Sequence, residues 1–110
     1  VDAGMNDLMR PSLYSARHKI ENLVESSEKK DLYSVVGPVC ETADSFGSDF
    51  EVSANAGDYL VVYSAGAYGS SMGSNYNTRL KPAEILVDQK SHKVIRKAET
   101  FDDLIKEEEL

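Results

Sequence analysis

The chain has 110 residues, of which 41% are hydrophobic and 28% charged, and its formal net charge at pH 7 is −7. These values predict one globular domain over residues 1–110, and they argue against binding to nucleic acid or an anionic membrane, both of which require clustered Lys and Arg. The apolar runs are too short to cross a bilayer. A single cysteine, Cys40, excludes an internal disulfide and favours the cytoplasm.

The first third of the sequence predicts a short helix and then a strand. Pro11 is suited to the first turn of a helix that runs to about Ser15. Residues 18–24 show both partial alternation and some helical spacing, and we favour a strand over a continued helix. The mixed charge run from Glu25 to Asp31 predicts a solvated loop.

The middle of the sequence predicts two strands separated by a long connection. Leu32 to Val39 is rich in β-formers and should end as a strand at Gly37-Pro38. The small and polar residues from Asp44 to Asn55 predict a connection, and Tyr59 to Ser64 a second strand. One or two helical turns can follow over residues 70–75.

The last third predicts a hairpin and a terminal helix. Ala83 to Asp88 and Lys93 to Ala98 are expected to be strands, joined by a turn over 89–92. Thr100 is suited to cap a helix whose first turn carries acidic residues. Together these elements predict a mainly β domain, a small barrel or sandwich with short helices and a C-terminal helix.

Four segments carry a family resemblance: Arg10–His18, Gly37–Asp44, Gly66–Arg79 and Lys81–Asp88. In this order they resemble the C-terminal domain of diaminopimelate decarboxylases, which belong to the alanine-racemase-like class of pyridoxal phosphate enzymes. The resemblance implies a C-terminal β-barrel or sandwich domain. It also implies that the family's (β/α)₈ barrel half is absent from this chain, so we expect a piece of a longer two-domain enzyme.

The resemblance implies that Cys40 is the catalytic proton donor and that Glu41 binds the substrate's second ammonium group. After CO₂ leaves, the α-carbon of an amino acid must take up a proton, and thiols, with an ordinary pKa of about 8.5, are suited to that transfer. Without the resemblance, a lone Cys is more often a small buried hydrophobe, and a Glu is more often a solvated surface acid.

The resemblance also implies that Arg10, Tyr14 and Tyr68 bind the substrate, with Tyr68 contacting the cofactor phosphate as well. Arg10 and Tyr14 are four residues apart, so on a helix they would point the same way. Arg can grip a carboxylate through two hydrogen bonds, and a Tyr hydroxyl can add a third. Without the motif, a surface Arg and core or half-buried tyrosines would be the simpler interpretation.

The function implied is decarboxylation of meso-2,6-diaminopimelate to L-lysine and CO₂, with pyridoxal 5′-phosphate as cofactor and a homodimer that shares its active site across subunits. The lysine that anchors the cofactor belongs to the barrel half, so this chain is expected to be inactive by itself. Two alternatives stay open: a sister decarboxylase of arginine, ornithine or a carboxylated polyamine, and a non-catalytic dimerisation module. No metal site is expected, because neither His18 nor His92 has metal-ligand spacing around it.

Overall fold

The computed structural model describes residues 1–25 and 29–109, and these form two compact units, Val1–Gly73 and Ser74–Leu110. In the first unit the elements are α1 (Arg10–Tyr14), β1 (Ile20–Asn22), β2 (Asp31–Val36), β3 (Ser45–Val52), β4 (Leu60–Val62) and α2 (Gly66–Met72). In the second they are a 3₁₀ helix (Tyr76–Thr78), β5 (Glu84–Asp88), β6 (Ser91–Arg96) and α3 (Phe101–Ile105).

The strands of the described residues pair as three antiparallel two-stranded sheets: β1 with β4, β2 with β3, and β5 with β6. This confirms the prediction of a mainly β fold with short helices and a C-terminal helix. The assignment of residues 1–110 to a single domain stays a prediction. The predicted loop over Glu25 to Asp31 lies partly outside the described residues, since 26–28 are not described.

The core of the first unit is a cluster of buried apolar side chains between the β1–β4 and β2–β3 sheets. Its members are Leu8, Ile20, Val35, Phe46, Phe50 and Val52. Burying one such side chain contributes roughly 1.5–3 kcal/mol, so the cluster is the main source of stability in this unit. The side chain of Asn22 links β1 to the end of β3, because it donates to the Ser53 carbonyl at 2.6 Å and accepts from the Ser53 N–H at 3.0 Å.

The prediction of a connection from Asp44 to Asn55 is wrong, because this segment forms β3, the longest strand of the first unit. Its polar residues mark irregularities in a real strand. Gly47 has φ +119° and Asp49 has φ +60°, and the pairing with β2 shifts register near Val35. Bulges place polar and glycine residues in strands. Phe46 and Phe50 still reach the core.

The other elements of the first unit lie close to their predicted positions. The helix predicted from Pro11 is α1, and it ends at Tyr14, after which Ser15 is its C-cap with a left-handed φ of +53°. The choice of a strand within 18–24 is confirmed by β1, and the strand within Tyr59–Ser64 by β4. Helix α2 starts at Gly66, earlier than the turns predicted over 70–75.

The second unit contains the predicted hairpin and the predicted helix cap. Asp88 pairs with Ser91, so β5 and β6 join through a two-residue turn, and β6 starts two residues before the predicted Lys93. The Thr100 hydroxyl accepts from the Asp103 N–H at 3.2 Å, and the Asp103 carboxylate accepts from the Thr100 N–H at 2.8 Å. This reciprocal pair is a capping box, which satisfies backbone donors at the start of α3.

Within the parts of the chain that the structure describes, 1–25 and 29–109, no helix is long and apolar enough to span a membrane.

A prediction concerns Glu99, whose carboxylate accepts from the Lys81 N–H at 2.9 Å and from the Asn75 amide. The hydrogen bond from the Lys81 N–H has the largest effect and the one from Asn75 the next largest, and together they hold the pKa of Glu99 below its ordinary value of 4.5. A carboxyl with a lowered folded pKa stabilises the fold above its unfolded pKa, and it loses that contribution as the pH falls through the folded pKa. We therefore expect Glu99→Gln to destabilise the second unit at pH 7, with the difference from wild type shrinking below pH 4.5.

Hydrogen exchange of the β5 and β6 amides from pH 7 to pH 3 would measure this effect, after correction for the intrinsic rate. Glu108→Gln, on the exposed end of the chain, is the matched control and should match wild type at every pH. A stability difference for Glu99→Gln that does not change with pH would contradict the prediction.

Candidate functional site

Arg10 and Tyr68 come from separate helices and meet on the surface of the first unit. The guanidinium carbon of Arg10 lies 4.8 Å from the centre of the Tyr68 ring. A cation stacked on a ring face in this way gains about 0.5–1 kcal/mol at an exposed site. Among the described residues the guanidinium forms no hydrogen bond or ion pair, so its N–H groups are available to an anion.

Tyr14 ends the same helix that Arg10 begins. The two residues occupy positions i and i+4 of α1, so their side chains emerge on one side of it, as the sequence predicts. Tyr14 is 61% exposed and Tyr68 50% exposed, so neither is the core tyrosine of the simpler interpretation.

Cys40 and Glu41 lie in a tight loop between β2 and β3. The loop is closed by backbone hydrogen bonds from Gly37 N–H to the Asp44 carbonyl at 3.0 Å and from Asp44 N–H to the Glu41 carbonyl at 3.1 Å. Both Cys40 and Glu41 are exposed. The thiol therefore does not fill a place in the core, which is where a lone Cys is usually found.

Asp44 is the buried polar residue of this loop, with 4% of its surface exposed. One carboxylate oxygen accepts from the Val39 N–H at 2.6 Å, and the other accepts from the Met5 N–H at 2.6 Å. At Gly37 an added Cβ would lie 2.7 Å from the Asp44 carboxyl carbon, so glycine is required there. From the sequence, Asp44 could support this loop or cap an element, and no role in the reaction is implied for it; its contact with Met5, 39 positions away, is visible only in the structure.

A second contact ties the loop to α1. The Ser12 hydroxyl, in the middle of that helix, donates to the Ala43 carbonyl at 2.6 Å. The structure thus connects the segment that carries Cys40 to the helix that carries Arg10 and Tyr14. Within the described residues the Cys40 side chain makes no hydrogen bond or ring contact with Arg10 or Tyr14.

Helix α2 packs on the N-terminal turn (residues 4–8) at Gly69. A Cβ at Gly69 would lie 3.2 Å from the Asp7 carbonyl oxygen, which is tighter than an ordinary contact, whereas a Cβ at Gly73, just after the helix, would lie 2.7 Å from the Gly69 carbonyl oxygen. The absent side chain of Gly69 therefore allows α2 to pack on this turn, which places Tyr68 against Arg10. Gly66, by contrast, faces open space.

The shifted pKa values of the first unit lie outside this group of residues. Lys19 and Glu21 form an ion pair at 2.8 Å, and their hydrogen bond raises the pKa of Lys19 and lowers that of Glu21. Because the pair is exposed, solvent screens it and it adds little stability. His18 is buried, with Nδ1 2.9 Å from the Tyr63 carbonyl, which agrees with its interpretation as structural.

Among residues 1–25 and 29–109, no group of three or more His, Cys, Asp or Glu side chains is arranged to hold a metal ion.

Comparison with protein-family models identifies the first unit. Residues 1–66 match the model described as "Pyridoxal-dependent decarboxylase, C-terminal sheet domain". The chain belongs to this family. Arg10, Tyr14, Cys40 and Glu41 lie inside the matched range, and Tyr68 lies two residues beyond it.

The most similar curated proteins of this decarboxylase family include several diaminopimelate decarboxylases. The enzyme of Neisseria meningitidis serogroup A is 49% identical over 102 residues, which cover 93% of this chain and 25% of that protein. The enzyme of Aquifex aeolicus is 49% identical over 106 residues, which cover 96% of this chain and 25% of that protein. The chain therefore spans about a quarter of the length of the curated relatives it matches.

Solved structures of the same decarboxylase family share the fold. Diaminopimelate decarboxylase from M. jannaschii in complex with L-lysine aligns with a TM-score of 0.93 and 43% identity, covering 99% of this chain and 25% of that one. The Helicobacter pylori enzyme complexed with L-lysine gives a TM-score of 0.89 and 45% identity, and the alignment covers 98% of this chain and 27% of that one. The family resemblance seen in the sequence is confirmed.

Proposed function

We propose that this chain is the C-terminal part of a pyridoxal phosphate-dependent diaminopimelate decarboxylase, which converts meso-2,6-diaminopimelate to L-lysine and CO₂. The main support is one arrangement: the exposed loop of Cys40 and Glu41 is tied to the helix that carries Arg10 and Tyr14. The 49% identity to diaminopimelate decarboxylases over nearly the whole chain supports the same substrate.

The donor groups of the first unit fit one contact to the cofactor. Tyr68 is half-exposed and its ring lies against the guanidinium of Arg10, and hydroxyl and guanidinium donors are suited to an anionic group such as a phosphate. Pyridoxal phosphate, when bound, supplies the electron sink for the loss of CO₂. No lysine of this chain stands in the motif that anchors the cofactor in the family, so we propose that the anchoring lysine lies in the barrel domain.

In the proposed reaction Cys40 donates a proton. When CO₂ leaves the D-configured end of diaminopimelate, one proton must take its place on the same carbon, which becomes C6 of lysine. An exposed thiol on a loop held by backbone hydrogen bonds can deliver that proton from one side only. Addition of solvent protons after the reaction returns the thiolate to a thiol.

Arg10, Tyr14 and Glu41 bind the part of the substrate that does not react. The distal carboxylate of diaminopimelate suits the guanidinium of Arg10, with Tyr14 on the same side of α1 as an additional donor. Glu41 suits the distal ammonium group. Together they distinguish a substrate with a second amino-acid end from one that has only an amine.

We also propose, on the family resemblance, that the protein acts as a cytoplasmic homodimer whose active site is shared between subunits. The exposure of Cys40, Tyr14 and Tyr68 on the first unit supports this arrangement, because a site built from these groups needs further walls to exclude water.

A complementation experiment tests the proposed activity. The chain is mixed with a separately expressed barrel domain of a family member, pyridoxal phosphate and meso-diaminopimelate, and lysine formation is followed. We expect lysine with wild type, and a roughly 10²- to 10⁴-fold lower rate with Cys40→Ala, because the general acid is lost. Thr42→Ala, an exposed change in the same loop, is the matched control and should keep the wild-type rate.

Absence of lysine from a mixture shown to associate would contradict the proposed activity. It would favour a sister decarboxylase, if arginine, ornithine or a carboxylated polyamine were turned over, or a non-catalytic module if none were.

A further prediction concerns substrate choice. Arg10→Ala should lower kcat/KM for diaminopimelate roughly 10- to 100-fold, since a hydrogen bond to a charged group is worth about 1.5–3 kcal/mol. Any slow turnover of ornithine, which lacks the distal carboxylate, should stay within about twofold of wild type. Arg10→Lys keeps the charge without the fork of donors and should give an intermediate loss. Equal losses for both substrates would show that Arg10 does not bind that carboxylate.

A further inference from the structure

We infer that Asp44 is the positioning residue of this site: its buried carboxylate holds the loop of Cys40 and Glu41 at a fixed place relative to the helix of Arg10. The inference rests on the proposed function for its catalytic consequence. Its structural half stands on the contacts of Asp44 alone.

The Asp44 carboxylate is shared between two segments that are distant in sequence. Its Oδ2 accepts from the N–H of Val39, the residue before Cys40, and its Oδ1 accepts from the N–H of Met5 in the N-terminal turn. Both distances are 2.6 Å, as expected for strong bonds to an ionised acceptor. With 4% of the residue exposed, water does not compete for these contacts.

A carboxylate is the side chain that this position requires. Two backbone N–H groups point at it, and an ionised carboxylate has an acceptor oxygen for each. An Asn of the same shape has one acceptor oxygen and one NH₂ group, so one of the two N–H groups would face another donor. At Gly37 there is no space for a Cβ, so the carboxylate is also fixed from that side.

The N-terminal turn transmits this anchoring to the rest of the site. The Asp7 carboxylate accepts from the Gly4 N–H at 2.8 Å, and the Asp7 N–H donates to the Gly4 carbonyl at 2.9 Å, so the turn is closed on itself. It leads through the buried Leu8 into α1 at Arg10. A displacement of the Asp44 carboxylate would therefore move the two parts of the site relative to each other.

The consequence for the reaction is control of the face from which the proton arrives. When the loop is held, Cys40 protonates C6 from one side. In D₂O this gives lysine with one deuterium at C6 in a single configuration. When the loop is loose, solvent competes with the thiol, which lowers kcat and mixes the two configurations. Binding of the distal end by Arg10 should be affected much less.

The structural test uses the chain itself. In Asp44→Asn, the amide hydrogens of Met5 and Val39 should exchange at least about tenfold faster. One of the two amides would then face the NH₂ group of the introduced Asn side chain, and the other would keep a bond to a neutral oxygen in place of a charged one. The amide of Leu23, which donates to the Tyr59 carbonyl, is the internal reference and should keep its rate. Asp49→Asn is the matched control, since Asp49 is exposed and its φ of +60° is one that Asn tolerates.

The catalytic test uses the same variants assembled with the barrel domain. Asp44→Asn should lower kcat roughly 10²-fold, the scale of a displacement near 1 Å. KM should rise by a smaller factor, because Glu41 moves with the loop while Arg10 on α1 still binds the distal carboxylate. Lysine made in D₂O should then carry both configurations at C6, while Asp49→Asn should give the single configuration and rate of wild type. A role confined to stability would lower the amount of folded enzyme and leave the configuration unchanged.

A milder variant covers the case in which Asp44→Asn does not fold. Ser12→Ala removes only the hydrogen bond from α1 to the Ala43 carbonyl, at a partly exposed position. It should lower kcat roughly two- to tenfold, the equivalent of one hydrogen bond, and produce some of the second configuration.

The outcomes separate this inference from the proposed function. Faster exchange at Met5 and Val39 together with wild-type kcat and a single configuration would overturn the positioning role. Unchanged exchange at both amides would also overturn it, whatever the activity. If wild type itself made no lysine, the proposed function would fail, and the exchange rates would still decide whether Asp44 holds the loop.

Discussion

The buried carboxylate of Asp44 is the interaction on which the arrangement of the first unit depends. A charged group with 4% exposure is costly unless hydrogen bonds replace its water, and here two backbone N–H groups do so. The cost of leaving either N–H or the carboxylate unsatisfied is large, so the bonded geometry is strongly preferred over any alternative. A loop of small and polar residues between β2 and β3 would otherwise have few contacts to fix it. One carboxylate therefore gives the loop of Cys40 a defined position.

The N-terminal turn extends this constraint to the helices. Met5 bonds to Asp44, and the Asp7 carbonyl forms the surface on which Gly69 of α2 packs. Helix α1 begins directly after the same turn. The stacking of Arg10 on Tyr68 is worth only about a kilocalorie per mole at an exposed site, too little to hold two helices together. The contact is better understood as a result of backbone packing around the turn, which brings the two side chains together.

Local signals in the sequence predicted the elements whose causes are local. The β5–β6 hairpin and the Thr100 cap depend on residues within a few positions of each other, and both were found. Strand β3 was missed because Gly47 and Asp49 are typical of loops, while the burial that makes the segment a strand comes from distant partners in the core. The candidate site residues came from the family resemblance, since exposed side chains such as that of Tyr14 have no periodic signature. Asp44 was assigned no role for a related reason: nothing near it in sequence reveals an acceptor for Met5.

The charge of the chain sharpens the role proposed for Arg10. A net charge of −7 gives a surface that on average repels a carboxylate, and diaminopimelate, with two carboxylates and two ammonium groups, carries no net charge, so long-range attraction is not a source of binding in this part of the protein. Recognition of a distal carboxylate must then depend on a local group whose donors are not already used by an acid of the chain. Among the described residues, Arg10 meets this condition because it stacks on a ring and forms no ion pair. Stacking leaves the in-plane N–H groups of a guanidinium available, and it limits the rotamers that would have to be ordered on binding. A cation held by an aromatic ring is therefore better suited to substrate recognition here than one held by a carboxylate, whose charge would have to be displaced first.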